Sequence, residues 1–367
     1  MASRLMLLTV GWLGQYVPLN EKLETEILAR GWIFSANRLL DVWVRWDSGW
    51  YLSIINNGYQ ASTNIEMLQS NLAFFPLYPL TVRFLISLLP SALRTTDMTL
   101  FMGALVSNVC CLTALMLLYR LGVAASADDT IARRTVLYLL VFPYSFILSC
   151  LYAESIFLLF SVAAFYAAQQ QKWGLAGVCG GLLALSRPLG VLILIPLVWQ
   201  YAELHQWRWR QIRGSAAFLL LIPASLLAYL GWVGLMTGDF LAPIKAQAAW
   251  GRNFAFPWMT IFASNSQTPY LTPVEQIFAL LSLYLIIRFW RRLPSSSYPI
   301  YALLLILPPL FTGSLTSFLR FLLVVFPAFM LLAILGKRPF IHRTIVGSFC
   351  FLQILLMIFW SQGYWLG

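Results

Sequence analysis

The stretch MTLFMGALVSNVCCLTALMLLY at residues 98–119 carries no charged side chain. A run of this length is enough to cross a bilayer as one α-helix, which needs roughly 20 apolar residues. Comparable runs, some only just long enough, recur at 136–150, 153–169, 214–236, 315–335 and 343–362. A transmembrane barrel would instead show alternating segments of about ten residues. The sequence therefore predicts an all-α polytopic membrane protein.

The composition agrees with a lipid environment. Of the 367 residues, 60% are hydrophobic and only 10% are charged, whereas a soluble domain carries about 25% charged residues. In a soluble protein, the net charge of +11 would suggest that the protein binds nucleic acid. Here the positive-inside rule explains it, so membrane lipid is the expected partner and nucleic acid is not. The five cysteines show no metal-ligand spacing, and we interpret them as apolar fillers.

Basic residues between the apolar runs set the predicted topology. They gather at 120–134, 208–213, 288–292 and 337–343, which we place in the cytoplasm together with Arg4. About eleven transmembrane helices then follow. They are expected at 5–19, 98–119, 135–150, 153–170, 173–186, 188–202, 214–236, 274–291, 297–313, 315–335 and 343–362. The segment 74–90 contains Pro76, Pro79 and Arg83, so it is expected to be re-entrant or interfacial rather than spanning.

Residues 1–367 then form a single integral-membrane domain with two large non-cytoplasmic loops, 20–97 and 237–273. Both loops are too apolar and aromatic to be freely solvated. The first contains aromatic residues at near-helical spacing, namely Trp32, Trp43, Trp46, Trp50 and Tyr51. This spacing predicts interfacial amphipathic helices at the level of the lipid headgroups.

Five charged residues fall at the predicted non-cytoplasmic face, although none was used to choose the topology. Asp47 and Arg252 lie in the two loops, Glu154 and Arg320 near the outer ends of spans, and Arg187 in a link between spans. Ionisable residues in spans are rare and usually functional. Since the planar guanidinium group suits phosphate oxygens, the set predicts a carboxylate base with a group of polyanion-binding arginines.

Each of these residues also has a simpler interpretation. Asp47 could cap the helix that follows it, and Glu154 could pair with a buried arginine. Arg187 and Arg320 could extend to lipid headgroups, and Arg252 could bind a headgroup passively. The aromatic residues around Asp47 could form an interface belt rather than a sugar platform.

Other chemistries find little support in the sequence. There is no GxxxxGK[ST] motif for a nucleotide-driven pump and no GxSxG nucleophile motif. The two histidines, His205 and His342, lie among cytoplasmic arginines, so no metal ligands and no firm cofactor are predicted. Asp47 and Glu154 could share a divalent ion, which leaves a metal requirement open, although an arginine clamp would make one unnecessary.

Two blocks of sequence carry a family resemblance. RWDSGWYLSIINNGY (45–59) followed by AFFPLYPL (73–80) resembles the signature of the PIG-V family, GPI mannosyltransferase 2. That signature has a Trp-Asp motif, then Gly-Tyr, then an FFPLYP-like block. Weaker similarities follow in order at 107–121, 142–161, 183–192 and 319–329, so the resemblance covers most of 41–330.

The resemblance implies a GT-C type architecture, a lipid-phosphate sugar donor and a catalytic acid in the first non-cytoplasmic loop. The topology independently places Asp47 in that loop. We therefore expect an inverting transfer of a sugar from a polyprenyl-phosphate donor, and mannose is the sugar that we predict. The acceptor is expected to be a glycan or glycolipid that the sequence does not identify. The chain is shorter than eukaryotic members, which implies a prokaryotic homologue in a bacterial inner membrane with its active site on the non-cytoplasmic side.

A mechanistic hypothesis gives each candidate an expected role. In this hypothesis Asp47 is the general base, and Glu154 orients an arginine or contacts the acceptor. Three arginines bind the donor phosphate: Arg187, Arg252 and Arg320. Three aromatic residues shape the sugar pocket: Trp46, Trp50 and Tyr59. The polyprenyl tail is expected in an apolar groove near 74–90.

Two hypotheses assign the protein a function other than catalysis. A transporter or flippase for lipid-linked sugars or phospholipids would also need intramembrane arginines, but it would more often show internal repeats, and the WDSGW block at 46–50 is not repeated. A non-catalytic subunit of a membrane complex would not require Asp47.

Overall fold

The computed structural model describes residues 2–17, 33–60, 69–208, 214–263 and 271–366. All regular secondary structure in these ranges is helical, with 17 α-helices, several 3-10 segments and no strand. The all-α prediction is therefore confirmed. Trp32, most of the basic cluster at 208–213 and parts of both predicted loops lie outside the described residues.

The helices of the described ranges are numbered in chain order. Those in the first part of the chain are α1 (Ala2–Gly14), α2 (Arg38–Asp41), α3 (Ser48–Asn57), α4 (Leu77–Ser87), α5 (Thr96–Ser126), α6 (Asp129–Val141), α7 (Glu154–Gln169), α8 (Trp173–Ala184) and α9 (Leu194–Leu204). Those in the second part are α10 (Leu221–Thr237), α11 (Ala242–Lys245), α12 (Pro257–Phe262), α13 (Thr272–Arg288), α14 (Ser297–Leu310), α15 (Phe318–Leu322), α16 (Phe326–Leu335) and α17 (Pro339–Ser361). The 3-10 segments are Asn71–Ala73, Ser91–Leu93, Ser145–Ser149, Pro188–Ile193, Gly214–Leu220, Ala246–Trp250 and Trp290–Arg292.

Within the described residues, three helical segments are long and apolar enough to cross a bilayer. They are α5, the segment Gly214–Thr237 that contains α10, and α17. Shorter apolar helical segments are α4, α7, α8, Pro188–Leu204, α14 and α16. Helical backbone is present at each of the predicted spans, so the polytopic all-α architecture is confirmed.

The span predicted over 315–335 is divided in the structure. Helix α15 ends at Leu322, and α16 begins at Phe326 with Pro327 in its first turn. Proline lacks a backbone N–H and disfavours helical geometry in the residue before it, so a continuous helix through this point is not expected. The break leaves a short helix that carries Arg320 into the protein interior.

The segment predicted not to cross the membrane contains α4. This helix has 11 residues and is therefore roughly 16 Å long, about half the thickness of the hydrocarbon core. A re-entrant or interfacial position for 74–90 stays a prediction.

The link between α6 and α7 lies in the protein interior. Every residue from 141 to 158 is buried. The first loop packs directly on this link, because the backbone N–H of Leu151 donates to the carbonyl of Trp43 at 3.2 Å. The link therefore holds Glu154 and the start of α7 against the segment that contains Asp47.

Helix α8 lies very close to the 3-10 segment that precedes α10. A Cβ atom on Gly177 would lie 2.1 Å from the backbone oxygen of Phe218, so this contact requires glycine. We expect Gly177→Ala to lower the apparent melting temperature in detergent, since overpacking costs about 1–3 kcal/mol. Gly231→Ala in α10 is the matched control, because nothing lies within 4 Å of its Cβ position. Equal melting temperatures for the two variants would contradict the close packing.

Candidate active site

One cavity of about 310 Å³ brings together charged residues that are far apart in the sequence. Asp47, Arg187, Arg252 and Arg320 all line it. The fifth charged residue singled out from the sequence, Glu154, lies behind the cavity wall with 1% exposure. The structure therefore places four of the five at one surface and the fifth in contact with two of them.

Asp47 lies immediately before helix α3. Its side chain makes no hydrogen bond to the helix backbone, so the capping interpretation is not what the structure shows. The preceding residue, Trp46, has a left-handed backbone with φ of +54°. Such a conformation costs of order 1–3 kcal/mol for a residue other than glycine and is concentrated at functional sites.

Two buried carboxylates and two arginines form a continuous chain of ion pairs. Arg320 Nη1 lies 2.7 Å from Asp47 Oδ2, and Arg320 Nε lies 3.1 Å from Glu154 Oε1. The same Glu154 oxygen lies 3.1 Å from Arg187 Nη1. Because buried charges are tolerated when they are paired, each of these groups helps to keep the others in place.

Arg252 reaches the cavity from the second loop. Its Nη1 donates to Gln247 Oε1 at 2.8 Å, and Gln247 Nε2 donates to the carbonyl of Ala73 at 3.0 Å. Gln247 thus ties the second loop to the first. Burial, followed by the nearby charges of Arg320 and Arg187, lowers the pKa of Arg252 to about 10, so this guanidinium group remains cationic at neutral pH.

The ring of Phe321 lies among the three guanidinium groups. The guanidinium carbons of Arg187, Arg252 and Arg320 are 5.1, 5.3 and 5.9 Å from its centroid. Cation–π attraction at these distances offsets part of the repulsion between like charges. Sequence reasoning missed Phe321 and Gln247, since a phenylalanine in a span and a glutamine in a loop carry no distinctive signal.

The structure places Trp46 and Tyr59 away from the cavity wall. Trp46 Nε1 donates to the carbonyl of Tyr364 at 3.2 Å, and its ring packs edge-on against Trp365. The hydroxyl of Tyr59 donates to the carbonyl of Phe74 at 2.6 Å. Both side chains therefore support the backbone around the site instead of lining it.

Trp50 lies one layer behind the aromatic part of the wall. Its ring stacks on Phe74 and meets Trp250 edge-on, and these two partners line the cavity. Five residues between 305 and 324 contribute to the apolar side of the cavity, and the other apolar lining residues come from earlier in the chain. Only Phe74 and Phe75 come from the segment where the tail groove was expected.

In the described ranges, no group of three or more histidine, cysteine, aspartate or glutamate side chains lies together as metal ligands would. The carboxylates of Asp47 and Glu154, which the sequence suggested could share an ion, are both in contact with Arg320.

Comparison with protein families gives a match to the part of the chain that holds Asp47, Glu154 and Arg187. Residues 29–188 match the family model described as Mannosyltransferase (PIG-V). The resemblance to the PIG-V family seen in the sequence is confirmed over these residues. Arg252 and Arg320 lie beyond the matched region.

The fold is similar to that of a solved structure, ArnT from Cupriavidus metallidurans bound to undecaprenyl phosphate. The two chains share 13% sequence identity with a TM-score of 0.50, over 100% of this chain and 75% of that one. The likeness concerns the fold, and it confirms the predicted GT-C architecture. A comparison with curated proteins finds no match.

The ion-pair chain predicts that Glu154 is needed for stability. Glu154→Ala removes the carboxylate between two largely buried guanidinium groups, and breaking a buried pair in this way costs about 3–5 kcal/mol. We expect a clear fall in apparent melting temperature. Asp129→Ala, which breaks the exposed pair with Arg133, should leave it unchanged. A Glu154→Ala protein as stable as the wild type would contradict the ion-pair chain.

Proposed function

We propose that this integral membrane protein transfers a sugar from a polyprenyl-phosphate donor to an acceptor at the non-cytoplasmic face. Mannose is the sugar that we propose. The match to the mannosyltransferase family and the GT-C fold support the broader assignment as a glycosyltransferase. The main support for the proposal is a cavity whose lining includes one carboxylate and three arginines.

The cavity suits the chemical character of such a donor. A polyprenyl-phosphate sugar combines a phosphate group, a polar sugar and an apolar chain. The arginines provide the phosphate partners, and Leu305, Pro308 and Val324 belong to the apolar side. The similarly folded ArnT was solved with a polyprenyl phosphate bound, which supports a lipid phosphate as the ligand class here as well.

Asp47 is the proposed general base. Arg320 holds Oδ2 of its carboxylate, while the residue itself faces the cavity. The carboxylate accepts the proton of the acceptor hydroxyl as that oxygen bonds to the anomeric carbon. The bond from the anomeric carbon to the phosphate oxygen breaks, and its electron pair leaves with the polyprenyl phosphate. One carboxylate suffices for this direct displacement, which inverts the anomeric configuration.

The arginines are proposed to stabilise the leaving phosphate. Negative charge develops on the phosphate as the bond to the sugar breaks, and guanidinium groups fixed in advance can interact with it without reorganisation. Three arginines and two carboxylates leave one positive charge in excess at the site. That excess matches the single negative charge of a phosphodiester donor.

Replacing the base should abolish most of the transfer. Loss of a general base costs about 10²–10⁴-fold in rate, so the transfer rate of Asp47→Asn should be lower than that of the wild type by this factor. The rate is measured in nanodiscs with radiolabelled polyprenyl-phosphate mannose and host lipid extract. Asp239→Asn, in an exposed pair with Lys245, is the matched control and should retain full activity. Transfer by Asp47→Asn at the wild-type rate would contradict the proposal. Wild-type protein that binds the donor and transfers nothing would favour a transporter.

Removing a phosphate-binding arginine should weaken the affinity for the donor. A hydrogen bond to a charged group contributes about 1.5–3 kcal/mol, so Arg252→Ala should weaken donor affinity about 10- to 150-fold. Lys245→Ala removes a cation from the same loop but not from the cavity wall, and should leave affinity unchanged. Titration of both variants with the lipid-phosphate sugar separates them, and equal affinities would remove Arg252 from the phosphate site.

A further inference from the structure

The residue before Asp47 has a backbone conformation that its own type does not favour. Trp46 is left-handed, and a bulky residue with a Cβ atom rarely adopts that region. The conformation determines the direction in which the chain enters α3 and therefore where the Asp47 carboxylate lies. A strained residue of this kind persists only where surrounding contacts hold it.

One buried tyrosine holds both peptide groups that flank Trp46. The hydroxyl of Tyr152 donates to the carbonyl of Arg45 at 3.1 Å and accepts from the backbone N–H of Asp47 at 3.2 Å. Tyr152 lies in the buried link between α6 and α7 and is only 1% exposed. A single phenol oxygen thus closes the turn that precedes the proposed base.

Further contacts fix the two ends of this arrangement. Arg45 is anchored by its buried ion pair with Asp41 and by hydrogen bonds to the carbonyls of Asp41 and Val44. The guanidinium carbon of Arg320 lies 5.2 Å from the centroid of the Tyr152 ring. Since Arg320 also binds Asp47 Oδ2, Tyr152 contacts the backbone of the base and the cation that holds its carboxylate.

We propose that Tyr152 is a positioning residue that directs the Asp47 carboxylate towards the acceptor hydroxyl. This inference rests on the proposed function, because it assigns to Tyr152 a role that is exerted through Asp47. Tyr152 does not line the cavity, so it is not expected to contact the substrates.

The protonation state of Tyr152 fits this role. Burial, together with the neighbouring Asp47 carboxylate, raises the pKa of Tyr152 well above its ordinary value. The hydroxyl therefore keeps its proton at neutral pH and can donate to Arg45 while it accepts from Asp47. A base role for the phenol itself is not needed.

Tyr152→Phe tests the inference, because it removes the hydroxyl and keeps the ring. We expect kcat to fall about 10- to 100-fold, the effect of a small misplacement of a reacting group, with donor affinity unchanged. Tyr144→Phe is the matched control. Tyr144 is equally buried, and its hydroxyl donates to the carbonyl of Leu366 at 2.6 Å, so this variant loses a comparable hydrogen bond away from Asp47.

Unchanged donor affinity and a melting temperature close to that of Tyr144→Phe would show that Tyr152→Phe is folded. Wild-type kcat in Tyr152→Phe would overturn the inference, as would an equal loss of kcat in Tyr144→Phe.

A second comparison uses the Asp47→Asn background. If Tyr152 acts through Asp47, adding Tyr152→Phe to Asp47→Asn should cause no further loss of residual transfer. Additive losses would overturn the positioning role. An active Asp47→Asn protein would instead contradict the proposed function, whereas an inactive Asp47→Asn protein beside a fully active Tyr152→Phe protein would contradict only the role of Tyr152.

Discussion

The ion pair between Asp47 and Arg320 is the interaction on which the rest of the site depends. These residues are 273 positions apart in the sequence, and their side chains meet at 2.7 Å in the protein interior. Each of these buried charges is stabilised by the other, and Glu154 also pairs with Arg320 and extends the network to Arg187. The network therefore joins the first loop, the start of α7, the link after α8 and helix α15.

Several departures from regular structure serve this network. The helix break between Leu322 and Phe326 makes α15 short enough to carry Arg320 inside the bundle. Left-handed, non-glycine residues precede both members of the central pair, Trp46 before Asp47 and Ser317 before α15. Strain of this type is retained where the surroundings fix it and where precise placement matters, which agrees with an active site at this point.

The sequence was sufficient to predict the all-helical class and the charged residues that meet at the cavity, but not the break in the helix expected over 315–335. Charges are costly in a membrane, so Arg187 and Arg320 stand out in an apolar chain. Tyr152, Gln247 and Phe321 could not be found in this way, because such residue types are common in spans and loops and acquire a role only through tertiary contacts. The orientations of Trp46, Trp50 and Tyr59 were also beyond prediction, since composition indicates an aromatic cluster but not which rings face the cavity. The functional roles of these residues stay proposals.

The most direct measurement of the central claim is a cryo-EM map of the protein in a nanodisc with a non-hydrolysable phosphonate analogue of polyprenyl-phosphate mannose. We expect density for the phosphonate group within hydrogen-bond distance of Arg187 and Arg252, with the anomeric carbon facing the Asp47 carboxylate. Ordered density for the analogue elsewhere in the protein, with none in the cavity, would contradict the proposed donor site.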